Sequence, residues 1–358
     1  MERFGFVGLP NAGKSSLYNA LAGGGALAAP YAFATRDPNV GVAKVFDPRL
    51  DALAEMSASR NVVPASVQFV DIGGLVEGAS KGEGLGNRFL ANIREADAVV
   101  YVLRAFLDDD VPGPTDPLEH LRVVELELTL ADLESVENQV NKRRKAAKND
   151  RTIADEVAAL EAAEVVLGEG TPLYRSRLDA EQRELIKPYF LLTNRPVLAV
   201  VNVGDDQLDD MASLVAPVEA EMSGHAEVLG MCVQLEAEAA QLAADERVEM
   251  LEALGLGEGA MPRFLGAAYH LLGLRTFLTT GEKESRAWTF KAGWKAPQCA
   301  GVIHTDFERG FIRADVIYWE DLVELGSLPK AREVGKLRTE GKEYEVADGD
   351  VLEFRFNV

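Results

Sequence analysis

The sequence predicts an α/β fold: a mostly parallel sheet, interrupted by an inserted helical hairpin and followed by a smaller β-rich domain. Three observations carry that prediction. Short apolar runs at Arg3 to Val7, Val67 to Val70, Ala98 to Leu103, Val197 to Val201 and, more weakly, Val228 to Val233 alternate with helical patterns. Strands of a parallel sheet read this way because helices cover both faces, and such sheets bind ligands at the carboxyl ends of their strands. Between about Leu118 and Phe190 the alternation stops. There Leu126, Leu130, Leu133, Val136 and Val140 step by four, three, three and four, and Ile153, Val157, Leu160, Ala163 and Leu167 repeat the steps. This is the period of an amphipathic helix, so two helices joined near Asn149-Asp150 are expected. From about Thr276 the texture becomes strand-like alternation, closing with the turn signal Ala347-Asp348-Gly349-Asp350 and the run Val351 to Phe356.

Length and charge narrow the function classes. At 358 residues the chain is long enough for roughly two to three domains with sizeable cores. Its 37 Lys and Arg stand against 58 Asp and Glu, a net charge of −21 that disfavours coating of free nucleic acid by the overall field. The charge is unevenly spread: residues 276–358 hold 12 basic and 15 acidic groups, so most of the excess lies before them. Six of the ten residues from Lys142 to Arg151 are basic, among them Lys142, Arg143, Arg144 and Lys145 at the hairpin tip. A solvated helix end and a contact to RNA or an acidic partner read alike there. Two cysteines, Cys232 and Cys299, and four histidines leave no disulfide framework or structural zinc site. The start Met1-Glu2-Arg3-Phe4 leads straight into a strand with no secretory h-region, and no 18-residue apolar run occurs, so a cytoplasmic protein outside the membrane is expected.

The strongest chemical signal is Gly8-Leu9-Pro10-Asn11-Ala12-Gly13-Lys14-Ser15, which fits GxxxxGK[ST] between an apolar strand and a helical run beginning at Ser16. Glycines let backbone N–H groups close on phosphates at a helix N-terminus, while Lys14 reaches the β/γ oxygens and the Ser15 hydroxyl coordinates Mg²⁺. Asn11, Ala12, Gly13, Lys14, Ser15 and Ser16 are therefore the expected nucleotide contacts. Val67 to Val70 then delivers Asp71-Ile72-Gly73-Gly74, in which Asp71 supports Mg²⁺ and the Gly74 N–H meets the γ-phosphate. Between these motifs Thr35 offers a third metal-directed oxygen. After the strand Pro196 to Val201 stands Asn202-Val203-Gly204-Asp205, where GTPases carry NKxD; Asn202, Val203 and Asp205 are the candidate base readers, without the lysine.

These residues closely resemble one family, the Obg-like ATPases or YchF subfamily of the translation-factor class of P-loop GTPases. The resemblance rests on Gly8 to Ser15, on Phe33-Ala34-Thr35, and above all on Val70 to Asn87. It continues through Arg286-Ala287-Trp288-Thr289 and His304 to Ala314 to the terminal Phe356-Asn357-Val358. It implies an OBG-type G domain at 1–275, interrupted by a coiled-coil hairpin at 118–190, and a C-terminal TGS domain of β-grasp type at 276–358. It also implies a Mg²⁺-dependent ATP hydrolase that can bind GTP, a monomer acting on the ribosome and its large subunit, with a role in translation or the stress response. On that footing the hairpin tip, together with Arg309 and Arg313, would meet ribosomal RNA or proteins. The segment Gly82 to Gly86 reads as switch II.

Two further points concern catalysis. Leu75 stands where Ras-like enzymes place the glutamine that orients the attacking water, so intrinsic hydrolysis is expected to be slow. By resemblance to related enzymes, in which the P-loop asparagine helps hold a K⁺ beside the phosphates, Asn11 is the candidate for that role and so to assist catalysis together with Lys14. Two departures from the family pattern also count. Leu107 to Gly113 forms a shortened segment without the histidine that relatives carry, and that role does not pass to His120, expected at the solvent or on the hairpin. Asp205 replaces the usual Glu. ATP is expected ahead of GTP; the competing readings are a GTP-preferring GTPase, a nucleotide-gated adaptor whose output is binding, and a metabolic kinase.

Overall fold

Apolar strands delivered in parallel, each followed by a helix, build the first sheet. The computed structural model describes residues 2–23, 40–71, 93–148 and 150–357. Its strands are β1 (Arg3–Val7), β2 (Val40–Lys44), β3 (Val62–Val63), β4 (Ser66–Asp71), β5 (Ala98–Arg104), β6 (Val197–Asn202), β7 (Glu227–Met231), β8 (Leu274–Thr279), β9 (Ser285–Lys291), β10 (Phe311–Tyr318), β11 (Arg338–Glu340) and β12 (Asp350–Phe356). The helices among those residues are α1 (Lys14–Gly23), α2 (Pro48–Met56), α3 (Pro117–Arg143), α4 (Arg151–Gly168), α5 (Ala180–Ile186), α6 (Met211–Met222), α7 (Val233–Ala239), α8 (Ala244–Ala253), α9 (Met261–Leu271), α10 (Ala296–Ile303), α11 (Thr305–Arg309), α12 (Trp319–Leu325) and α13 (Leu328–Glu333). None of them is long and apolar enough to cross a membrane.

The chain forms two compact units, residues 1–43 with 68–264 and residues 44–67 with 265–358. In the first, the sheet order is β2-β4-β1-β5-β6-β7, and β1 pairs in parallel with β4 and β5, β5 with β6, and β6 with β7. Every residue of β5 and β6 is buried, which is why these stretches read as unbroken apolar runs.

The hairpin of α3 and α4 departs from the stripe its periodicity suggests. Leu126 and Leu130 are 50% and 37% exposed, while Leu121, Val124, Leu128 and Ala131 are buried on the sheet side. Only farther along α3 do Val136 and Val140 turn to α4 and pack with Leu160, Ala163 and Leu167. A 27-residue helix that meets a sheet with one half and a helix with the other presents two different faces, and no single stripe records both. Buried Asp132 anchors the junction by accepting from the Leu192 N–H (2.8 Å), the Thr193 N–H (2.7 Å) and the Thr193 hydroxyl (2.7 Å). Asp116 and Asp150 cap the two helices by accepting from the N–H groups of Leu118 and Thr152.

In the second unit the sheet order is β11-β10-β12-β8-β9-β3, with β10 antiparallel to both β11 and β12 and β8 antiparallel to β9. Its core gathers Phe277, Phe290, Phe311, Val316 and Leu352, with Trp288 and Trp294 packed against it. Residues 44–67, expected within the first domain, belong here. The reason is local: β3 pairs with β9, and the Ser57 and Ser59 hydroxyls meet those of Thr280 (2.7 Å) and Ser285 (2.8 Å). Arg49 also bridges Asp47 (2.8 Å) and Asp348 (2.7 Å), tying this segment to the turn before β12.

Candidate nucleotide-binding site

A cleft of about 560 Å³ opens in the first unit on the loops that leave the carboxyl ends of β1, β5, β6 and β7. That volume lies within the roughly 300–1,000 Å³ typical of small-molecule sites. Of the residues anticipated from sequence, Asn11, Gly13, Lys14, Ser15, Ser16, Asn202, Val203 and Asp205 all line it. Ala12 lies beneath, fully buried. The side chain of Asp71, at the end of β4, and all of Thr35, Gly74, Leu75 and Gly82 to Gly86 fall outside the described residues.

The phosphate end is shaped by backbone that only small residues permit. A Cβ on Gly8 would sit 2.3 Å from the Val102 carbonyl oxygen. Gly13 has φ near +100°, and a Cβ there would sit 2.3 Å from the Asn202 amide nitrogen. Asn11 adopts a left-handed φ of 61°, a conformation asparagine tolerates better than most residues. Helix α1 begins at Lys14 without an acidic residue in its first turn, so its N–H groups and positive dipole end face no competing carboxylate from their own helix. Buried Lys14 lies within the loop, its ammonium donating to the carbonyls of Gly8 (3.0 Å) and Leu9 (2.7 Å). This cradle, with a cation and the Ser15 hydroxyl at the head of a helix, fits a polyphosphate with Mg²⁺. Mg²⁺ takes hard oxygen donors, alongside phosphate oxygens and water, and the Ser15 hydroxyl is of that kind. When bound, the ion neutralises charge on the β and γ phosphates.

Asn202 has a different place from the one anticipated. Its side-chain amide is buried, donating from Nδ2 to the Ala12 carbonyl (3.0 Å) and accepting at Oδ1 from the Val233 N–H (3.1 Å). Its own carbonyl takes the N–H groups of Ala105 (2.8 Å) and Phe106 (3.1 Å). Asn202 thus clamps the phosphate loop, the end of β5 and the start of α7 together, its amide donating one hydrogen bond to the protein and accepting one from it. The Val203 side chain is buried in the core and its N–H donates to the Met231 carbonyl (3.0 Å), so it does not lie along a base as the lysine of NKxD would. Asp205 stands at the rim, one carboxylate oxygen accepting from the Asp206 N–H (2.9 Å).

Several lining residues were not anticipated as contacts. Phe106 with Leu107, Asp108 and Val111 of the shortened segment forms one wall, and Gln234, Ala237, Glu238 and Gln241 on and just after α7 form another. Their chemistry is ordinary and their spacing matches no motif, so only proximity reveals them. Gln207 also went unread; it accepts from the Gly204 N–H (2.8 Å) and donates to the Ala105 carbonyl (3.2 Å), bracing the base-side loop. His120 is buried, with Nε2 against the Pro114 carbonyl (2.8 Å), and burial lowers its pKa, so it neither faces solvent nor lines the cleft.

Comparison with known proteins agrees with this architecture. A family model described as a 50S ribosome-binding GTPase matches residues 3–141, and a YchF GTPase C-terminal model, described as a protein of unknown function, matches residues 274–357. The chain is 46% identical over 361 residues to the ribosome-binding ATPase YchF of Bacillus subtilis and 47% identical over 358 residues to that of Haemophilus influenzae. In each case 99% of both chains is covered. The solved structure of the Schizosaccharomyces pombe YchF GTPase superposes with a TM-score of 0.87 at 32% identity, covering 99% of this chain and 97% of that one. Likeness of this depth over the full length, in sequence and in fold, is that of one family to its own members: the chain belongs to the YchF family.

Proposed function

We propose that this protein is a ribosome-associated, Mg²⁺-dependent nucleoside triphosphatase of the cytoplasm that takes ATP ahead of GTP and turns it over slowly. The observation that carries the reading is the interlocked phosphate loop, in which Asn202 holds the Ala12 carbonyl and packs on Gly13 while Lys14 donates to the Gly8 and Leu9 carbonyls. Slow turnover follows from Leu75, whose alkyl side chain cannot orient a water molecule. The ATPase and ribosome-binding names of the relatives support the substrate and the partner. The preference for ATP has a local reason too. The lysine that follows the asparagine of NKxD is replaced here by Val203, whose side chain is buried in the core, so that part of the guanine reader is missing. Measured in Mg²⁺ and K⁺ buffer, the ATP dissociation constant is expected to lie below that for GTP. Tenfold tighter GTP binding reverses the order and makes the protein a GTPase.

The hairpin tip and the sheet of the second unit are the proposed ribosomal contacts. Arg143 and Arg144 pair with Glu156 (2.8 Å) and Glu161 (3.0 Å) on α4, and Lys142, Arg144, Lys145, Lys148 and Arg151 are exposed basic residues of the tip. Arg309 and Arg313 are exposed in the second unit. The Asn11 side chain donates to the Pro112 carbonyl (3.3 Å), an arrangement that leaves its oxygen as the group able to meet K⁺. Hydrolysis is accordingly expected to run faster in K⁺ than in Na⁺, and Asn11→Ala is expected to lose the difference. Equal rates in the two salts for the parent protein would remove Asn11 from this role.

A further inference from the structure

Arg104 is the largest fully buried side chain among the described residues, 1% exposed at the last position of β5. Burying a guanidinium away from water costs several kcal/mol unless its donors are satisfied. Among the described residues its hydrogen-bond partners are backbone carbonyls and none is a carboxylate. Nε donates to Phe106 O (3.1 Å), Nη1 to Pro112 O (3.3 Å), and Nη2 to Val111 O (3.0 Å) and, at the limit of a hydrogen bond, Asp108 O (3.5 Å). Its carbon lies 4.4 Å from the centre of the Phe106 ring. The segment it holds has little cohesion of its own, namely the Val111 N–H to Asp108 O (3.1 Å) and the Asp110 N–H to the Asp108 carboxylate (3.0 Å). It ends at Gly113, with φ near +123°. Yet Phe106, Leu107, Asp108 and Val111 from this segment form one wall of the cleft. A Cβ on Gly204, the residue before Asp205, would lie 3.6 Å from the Phe106 Cβ, which places that wall beside the base-reading loop.

We propose that Arg104 is a positioning residue: its rigid five-donor fork fixes the wall from Phe106 to Val111, and through that wall sets the affinity for the nucleoside part of the nucleotide. The inference rests on the reading of the cleft as a nucleoside triphosphate site. A flexible ammonium replaces it only in part, because three donors at one point do not span carbonyls spread over seven residues of chain. An arginine of purely structural use would hold the core together without discriminating between parts of the ligand.

The test compares a fluorescent ATP analogue with inorganic triphosphate on the full chain. Arg104→Met keeps the unbranched apolar stem as far as the position of Nε and removes the guanidinium with its donors and charge. It is expected to weaken the ATP analogue about tenfold and to raise KM for ATP in step, with kcat and inhibition by inorganic triphosphate within about twofold of the parent. Arg104→Lys is expected to restore part of the loss, with binding about threefold weaker than the parent. Should the methionine variant fail to fold, the lysine variant carries the comparison alone. Parent-like ATP affinity in a folded variant, or an equal loss for triphosphate and ATP, overturns the assignment. A parent protein that binds neither ATP nor GTP overturns the triphosphatase reading itself, and the assignment with it.

Discussion

Lys14→Ala lowers ATP hydrolysis by about two to three orders of magnitude, the usual cost of removing a preorganised charge from the place where negative charge develops. The ammonium is already within the phosphate loop, donating to the Gly8 and Leu9 carbonyls, so reaching β/γ oxygens asks for a short swing rather than a new conformation. Single-turnover hydrolysis by the variant measures the effect; a loss below about tenfold would show that the cradle works without its lysine. Co-sedimentation of the same variant with ribosomes separates two readings of the output. Full loss of docking marks a nucleotide-gated partner, whereas intact docking marks an adaptor whose attachment needs no nucleotide. Transfer of phosphate from ATP to a small molecule by the parent protein would revive the kinase reading.

Asn202→Ala is expected to destabilise the first unit and to weaken nucleotide binding together. Truncation strands the Ala12 carbonyl and the Val233 N–H, each buried polar group costing about 1–3 kcal/mol when left without a partner. It also removes the side chain against which Gly13 is packed, so the loop loses the wall that holds its left-handed turn. Denaturant unfolding and ATP titration of one preparation report both effects. A stability change below about 0.5 kcal/mol, in the range of ordinary surface substitutions, would show that Asn202 is not the clamp described. Asn202→Asp sharpens the test, because it sets a carboxylate oxygen against the Ala12 carbonyl and adds negative charge beside the phosphates. Its ATP affinity should fall below that of the alanine variant.

Much of the fold could be read before any coordinates. Apolar runs matched β1, β5, β6 and β7 because strands buried on both faces leave no room for polar residues. GxxxxGKS could be located because the loop demands glycine where a Cβ would strike Val102 or Asn202. Less could be read where one segment serves two neighbours. Leu126 and Leu130 continue a periodic stripe that the structure leaves exposed, since the first half of α3 turns Leu121, Val124 and Leu128 to the sheet instead. Residues 44–67 join the second unit through β3 and β9, a pairing of segments more than two hundred positions apart that local pattern does not record.

What the sequence determined by itself is the identity of the site and its class of ligand, because the chemistry of phosphate binding is written in contiguous residues from Gly8 to Ser15. Only the tertiary structure decided the duties of Asn202 and Arg104. Asparagine in Asn-x-x-Asp reads as a base contact, and Arg104, closing an apolar run, matches no motif. Both became internal braces once the strand ends brought unpaired backbone groups around them: the Ala12 carbonyl and Val233 N–H for Asn202, and the carbonyls of residues 106–112 for Arg104. Hydrogen-bonding demand of this kind arises from loops meeting in space, and a buried polar side chain takes its role from the groups it must satisfy.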